Sequence, residues 1–276
     1  MVRIQRLQIV IALMLATAWV GAVEPPAAVP LIRAHAHNDY QHRRPLLDAL
    51  MNGFCSVEAD VYLVNGQLLV AHDRDKVKPE RTLVALYLNP LRQLVRRNGG
   101  QVFRNGPSFT LLLDVKSDAA PTCAALHEIL KDYAEVLTSY RGKLIETKAI
   151  TVIISGNRAP EKMSAQLIRY AAIDGRRDDL ESNSPAGLVP LISVDWNTVF
   201  SWRWQGAMPE TERTALQQWV ERTHAQGRKA RFWNTPDNVG TWRLLYDAGV
   251  DLINTDDLPG LRKFLLGQPA DQPVAK

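Results

Sequence analysis

Apolar positions along this chain follow two periods, and the two periods take turns from residue 31 onward. Runs dense in Val, Ile, Leu and Phe read as strands. They are Leu31–Ala36, Cys55–Leu63, Gln67–His72, Phe109–Val115, Ala149–Ser155, Leu188–Asp195, Lys229–Asn234 and Asp251–Thr255, with Ala171-Ala172-Ile173 as a short extra one. Between them apolar residues recur at helical spacing. Arg43–Asn52 ends at Gly53, a helix stop, and Ala119–Thr138 carries Leu126, Ile129, Leu130, Tyr133 and Leu137 on one face. Pro160–Ala172, Pro209–Gln226 and Asn238–Gly249 complete the predicted helices, and residues 174–187, rich in Asp, Arg, Ser and Asn, read as an irregular loop. Asn65-Gly66 between two apolar runs is a strong hairpin signal.

Strands separated by helices pair in parallel through right-handed crossovers. With Gln67–His72 taken as a hairpin arm and Ala171–Ile173 as a strand, eight parallel strands remain. About 240 residues then suit an α/β fold of the (β/α)8 barrel type, with a small hairpin insertion after the second strand. A doubly wound open sheet is the alternative. It calls for a glycine-rich turn after the first strand, where this chain has His37-Asn38-Asp39-Tyr40.

The ends of the chain read differently. Arg3 and Arg6, the apolar stretch Ile9–Val20 and the small residues Gly21-Ala22 form the three parts of a secretory signal over residues 1–22. Export to a periplasm or the exterior is the expectation, with an uncleaved membrane anchor as the alternative. Residues 23–30, with Pro25, Pro26 and Pro30, read as a linker, 31–268 as the barrel domain and 269–276 as a tail. The 276 residues are 46% hydrophobic, which suits one large domain. Losing Arg3 and Arg6 with the signal takes the formal charge from +4 to +2, too mild a balance for a nucleic-acid partner. Cys55 and Cys123 are too few for a disulfide framework and are not assumed to pair.

The chemistry gathers near strand ends. Glu58 and Asp60, two residues apart on one strand, point the same way. Asp114 follows three leucines, where an acid is costly to bury without a cation or hydrogen-bond donors. The three acids make an oxygen-ligand set for Mg²⁺ or Ca²⁺. The alternative is a set of salt bridges to Lys116, Arg33 or Arg158. His35 and His37 share a face of the first strand, and His72-Asp73 follows the hairpin. In a barrel, His37, Asp60, His72, Lys116, Arg158, Asp195, Asn234 and Asp256 fall at or near the carboxyl ends of strands, where barrel active sites lie. His42 reads as a loop residue, and His127 and His224 as residues of helices. Trp202 and Trp204 read equally as an aromatic lip or as loop packing.

Taken together the motifs resemble the glycerophosphodiester phosphodiesterase superfamily, the phospholipase-C-like phosphodiesterases. That family carries His-Arg near the first strand, Glu-x-Asp-Val on the second, His-Asp after a hairpin, and an acid and lysine on the third. Here His37-Asn38, Glu58-Ala59-Asp60-Val61, His72-Asp73 and Asp114-Val115-Lys116 stand in those places. Phe232-Trp233-Asn234-Thr235 resembles the family's Trp-Thr-Val-Asn, and Gly249-Val250-Asp251-Leu252-Ile253-Asn254-Thr255-Asp256 its Gly-Val-Asp-x-Ile-x-Thr-Asp. The likeness runs from about residue 33 to 258 and is weakest in the middle. Two departures stand out. The family's Arg-Gly is replaced by Asn38-Asp39, and its Pro-Glu-Asn-Thr by Pro45-Leu46-Leu47-Asp48, which removes a metal-binding glutamate. The His-Asn-Asp-Tyr form resembles a divergent branch that includes the fungal altered inheritance of mitochondria protein 6. Sphingomyelinase D enzymes share the core site with one metal.

The resemblance implies a phosphodiesterase barrel. Glu58, Asp60 and Asp114 would hold one divalent cation, and His37 and His72 would act as an acid–base pair. Lys116, Arg158, Trp233 and Asn234 would bind the phosphate and the alcohol around it, and His35, Asp39 and Asp73 would support the set from behind. The implied substrate is a small-molecule or lipid phosphodiester, met in transient contact with a membrane surface if lipid. Two rivals remain: a non-catalytic phosphate- or lipid-binding barrel, and an amidohydrolase-like site built on His35-x-His37. The second wants further histidines on later strands, which the chain lacks.

Overall fold

The computed structural model describes residues 28–269; the expected signal at 1–22, most of the 23–30 linker and all of the 269–276 tail after its first residue lie outside the described residues. The strands are β1 (Leu31–Ala36), β2 (Phe54–Val64), β3 (Gln67–Val70), β4 (Phe109–Val115), β5 (Ser139–Arg141), β6 (Leu144–Glu146), β7 (Ile150–Gly156), β8 (Ala172–Gly175), β9 (Leu191–Asp195), β10 (Lys229–Trp233) and β11 (Leu252–Thr255). Eight run parallel in the order β1-β2-β4-β7-β8-β9-β10-β11, and β11 pairs back to β1. The sheet therefore closes into the eight-stranded parallel barrel, and the open doubly wound sheet is excluded. β3 is the antiparallel hairpin arm on β2, turned by Asn65 and Gly66, both at positive φ as that turn requires.

The helices are α1 (Leu47–Met51), α2 (Asn89–Arg97), α3 (Ala119–Lys131), α4 (Pro160–Ser164), α5 (Arg177–Leu180), α6 (Trp196–Val199), α7 (Glu210–Ala225), α8 (Val239–Asp247) and α9 (Leu258–Leu266). Strand residues alternate between two apolar environments. Leu111 and Leu113 join the large core packed against the helices. Leu112 instead belongs to a separate cluster with Ile153, Leu191 and Leu252 from β7, β9 and β11, inside the barrel. That inner plug closes the barrel beneath the polar residues at the carboxyl ends of the strands.

Several elements differ from expectation. Arg43–Asn52 shrinks to α1, because Leu46 sits at φ 64 and breaks the helix before it. Ala119–Thr138 stops at Lys131: Leu137 instead bridges to Ile150, and the unpredicted β5–β6 hairpin follows. Pro160–Ala172 stops at Ser164, and the loop 174–187 contains α5. α2 and α9 were not foreseen. Their prolines, Pro90 and Pro259, occupy first-turn positions, where the missing N–H is no loss.

Candidate active site

The acids come together because β2 and β4 are in register. Asp60 pairs with Asp114, and Glu58 with Leu112, so all three carboxylates project into the barrel mouth. One oxygen from each of Glu58, Asp60 and Asp114 lies within 4.8 Å of the others. Their partners are unequal. Glu58 accepts from Arg231 and lies 3.3 Å from His35 Nε2. Lys116 Nζ donates to Asp114 Oδ2 at 2.7 Å and lies 3.2 Å from Asp60 Oδ2. Asp60 Oδ1 and Asp114 Oδ1 are buried with no hydrogen-bond partner. A bare buried carboxylate oxygen is costly, and two converging ones suit a hard cation. Room is kept for one by Gly156, at φ 67, where a Cβ would fall 1.9 Å from Asp114 Oδ1. Of the cations weighed as salt-bridge partners, only Lys116 reaches the acids. Arg33 donates to the Val250 and Tyr246 carbonyls, and Arg158 to the Asp174 carbonyl and the Asp179 carboxylate.

The electrostatics separate the three acids. Burial would raise Glu58, but the Arg231 charge and the His35 hydrogen bond outweigh it and hold the carboxyl well below the ordinary range. Asp60 is pushed up to about 6 by burial and by the charges of Asp114 and Glu58, against the pull of Lys116. A cation at the bare oxygens relieves that repulsion. His35 is driven down to about 4 by burial and by Arg231, and both its nitrogens are engaged, Nδ1 with Ser56 Oγ at 2.7 Å and Nε2 with Glu58. It therefore props Glu58 from behind, and no nitrogen is left over for the His35-x-His37 metal site.

His37 and His72 line one cleft of about 740 Å³ with the acids. His37 Nδ1 lies 3.0 Å from Asp256 Oδ1. Burial opposes its protonation, yet the Asp256 hydrogen bond and the Glu58 charge raise its pKa above the ordinary histidine value. His72 Nδ1 lies 3.0 Å from Asp60 Oδ2 and 3.0 Å from the Tyr40 hydroxyl. That hydroxyl also reaches Asp60 Oδ2 at 2.8 Å and Asn38 Oδ1 at 2.7 Å. Asp39 is buried beneath this turn, where its carboxylate accepts from Leu46 N and the Tyr87 hydroxyl, and burial lifts it to about 7.

The remaining sequence-predicted residues divide. Lys116 and Trp233 line the cleft, Trp233 at the mouth with 41% of its surface exposed. Arg158 does not; its guanidinium is committed to the β8 end and α5, because the loop after β7 turns it along the rim. Arg176 and Arg177 line the cleft instead, Arg176 donating to the Gly156 carbonyl at 2.7 Å. Asn234, at φ 61, donates to Asp195 Oδ1 at 3.2 Å and is not part of the lining. Asp73 is exposed and also lies outside the lining. Trp202 and Trp204 pack on Trp196, with ring centroids 6.4 and 4.4 Å away, and form no lip. Cys55 and Cys123 are buried and unbonded. Tyr40, Gly156, Asp174 and Arg231 escaped sequence reading. Only Tyr40 carried a signal, as the last residue of the His-Asn-Asp-Tyr motif. Among the described residues no helix is long and apolar enough to cross a membrane.

The model of the AIM6-like phosphodiesterase domain matches residues 26–172, and that of the glycerophosphoryl diester phosphodiesterase family matches 229–259. Altered inheritance of mitochondria protein 6 of Eremothecium gossypii is 32% identical over 85% of this chain and 69% of its own length. Two solved structures share the barrel. One is a glycerophosphodiester phosphodiesterase from Parabacteroides distasonis, with TM-score 0.51 and 15% identity over 85% of this chain and 96% of that one. The other is a calcium-dependent phosphoinositol-specific phospholipase C from a Gram-negative Pseudomonas, with TM-score 0.55 and 11% identity over 82% and 88%. The domain model over residues 26–172 and the relative at 32% identity agree, and the chain belongs to the AIM6-like phosphodiesterase family.

Proposed function

We propose that this protein is a metal-dependent phosphoric diester hydrolase that acts on a glycerophosphodiester- or phospholipid-like substrate. The observation that carries the reading is the pair of bare, buried oxygens on Asp60 and Asp114, in one cleft with His37 and His72. Membership of a phosphodiesterase family supplies the bond class. Glu58, Asp60 and Asp114 would hold one Mg²⁺ or Ca²⁺. When bound, such a cation neutralises charge that develops on a phosphoryl oxygen.

The chain's own groups do the rest. One of His37 and His72 removes the proton of the attacking hydroxyl, and the other protonates the departing alkoxide. Each engages its protein partners through Nδ1, which leaves Nε2 for substrate. Lys116, at the edge of the acids, offers its ammonium to a phosphate oxygen. Trp233 walls the mouth against the alcohol group. Residues 1–22 would direct the chain out of the cytoplasm, where a lipid diester would be met at a membrane surface.

A panel of phosphodiesters read by phosphorus NMR, with and without EDTA, tests the proposal. Turnover that EDTA abolishes and Mg²⁺ or Ca²⁺ restores is expected. Turnover indifferent to EDTA, or tight binding of diesters with none cleaved, would overturn it, the latter in favour of a binding barrel.

A further inference from the structure

The His-Asn-Asp-Tyr motif is where this chain leaves the pattern of its wider superfamily, and the reading above gives its second and fourth residues no task. Their geometry is specific. Asn38 adopts φ 49, a left-handed conformation that asparagine tolerates, and so turns its amide back over the site. Its Oδ1 lies 2.7 Å from the Tyr40 hydroxyl, and its Nδ2 lies 2.9 Å from His37 Nδ1. The Tyr40 hydroxyl lies 3.0 Å from His72 Nδ1. Asn38 thus stands between Tyr40, which touches His72, and the His37–Asp256 pair, where its Nδ2 reaches Asp256 Oδ1 at 3.4 Å; the two candidate acid–base histidines are 35 positions apart in the chain.

Proton bookkeeping gives the bridge a direction. The Tyr40 hydroxyl has one proton and two neighbours that only accept, Asn38 Oδ1 and Asp60 Oδ2. Whichever receives it, the hydroxyl oxygen is left as an acceptor toward His72. Asp60 Oδ2, the other neighbour of His72 Nδ1, is also an acceptor. Both partners therefore demand a proton on Nδ1 of His72, and Nε2 is the nitrogen left with a lone pair. The side chain of Tyr40 is buried, and burial with the nearby Asp60 charge pushes its own pKa far up, so it stays a neutral phenol. Asp39, between the two, anchors the turn through Leu46 N and Tyr87.

We infer that Tyr40, held by Asn38, is a positioning residue that fixes His72 as the Nδ1–H tautomer and presents its Nε2 to the scissile phosphodiester. The inference rests on the hydrolase reading for its purpose but not for its geometry, and its test has an arm for each. Tyr40→Phe keeps the ring and deletes the hydroxyl. With bis(p-nitrophenyl) phosphate, kcat should fall about 10–100-fold, while KM and the calorimetric Kd for Mg²⁺ stay within about twofold. Nitrogen-15 histidine spectra near neutral pH should show His72 as Nδ1–H in the wild type and as a mixture of tautomers in the variant. Asn38→Gly, which accepts the same backbone angle, should shift His72 in the same sense if Tyr40→Phe folds poorly.

Wild-type kcat with an unchanged His72 spectrum overturns the inference. So does a kcat loss that saturating Mg²⁺ restores, since Tyr40 would then serve Asp60 alone. If the wild type cleaves no diester, the hydrolase reading falls by itself. The His72 spectra then decide the positioning role, which stands if Tyr40→Phe mixes the tautomers and falls if it does not.

Discussion

Asp60 and Asp114, on the first half of the barrel rim, each keep a buried oxygen with no partner. Asp195 and Asp256, at matching strand ends on the second half, spend theirs on neighbours. Asp195 caps α6 through Asn197 N and accepts from Asn234, and Asp256 holds His37. The same residue type near the carboxyl ends of the strands therefore does two jobs. On the first half the strands run in register through Asp60 and Asp114, so like charges are forced together with one lysine between them. On the second half Asp195 and Asp256 each meet a donor of their own, and Asp174, with one bare buried oxygen, has no second acid facing it among the described residues. Bare oxygens that converge, more than the presence of acids, mark the candidate metal site.

The comparison breaks most visibly through the acids. Asp60→Asn should lower turnover of a generic diester by on the order of 10³-fold and abolish calorimetric Mg²⁺ binding. Asp195→Asn, in the same cleft, should change both by no more than about threefold, because its carboxylate is already spent on the α6 cap and Asn234. Equal losses from the two would dissolve the distinction between the halves.

Next in size are the histidines. His37→Ala and His72→Ala should each cost about 10²-fold or more in kcat with Mg²⁺ binding retained. His224→Ala, which removes a contact to Asp251 away from the cleft, should leave kcat alone. The arginines come third. Arg158→Ala should destabilise the fold by about 1–3 kcal/mol, since the Asp174 carbonyl and Asp179 each lose a donor while Asp179 keeps Arg176 N, with KM unchanged. Denaturant unfolding beside steady-state kinetics separates that from a substrate-binding role.

Asp39, beneath the rim, adds an effect that depends on pH. Its carboxyl is raised from 3.8 to about 7 in the native state by burial. Below about pH 4 both folded and unfolded chains hold the proton, and between about 4 and 7 only the folded chain does. Asp39 therefore withdraws stability as pH rises through that window, by on the order of 2–4 kcal/mol at full ionisation. Asp39→Asn should gain on the wild type by that amount between pH 4 and 7, seen as a widening gap in urea midpoint. A gap that stays constant with pH would place the Asp39 charge elsewhere.

Much of this was legible in the chain. Strand-helix alternation with an Asn-Gly hairpin specified a parallel barrel, because periodicity and turn chemistry are local. Glu58 and Asp60 were legible as a pair because side chains on one strand alternate, and Asp114 because an acid after three leucines needs a reason. His37 and His72 stood at strand ends for the same local cause. What escaped was decided across the barrel. Arg231 neutralises Glu58 from 173 positions away, and nothing around residue 231 announces that contact. Gly156 matters only because β7 lies beside Asp114, and Arg158 was misplaced because the turn after β7, not the strand end, sets where its guanidinium goes. Composition and period fix what is near in the chain. Which carboxylate oxygen stays bare depends on every group that could have reached it, and closure of the barrel alone brings those groups within reach.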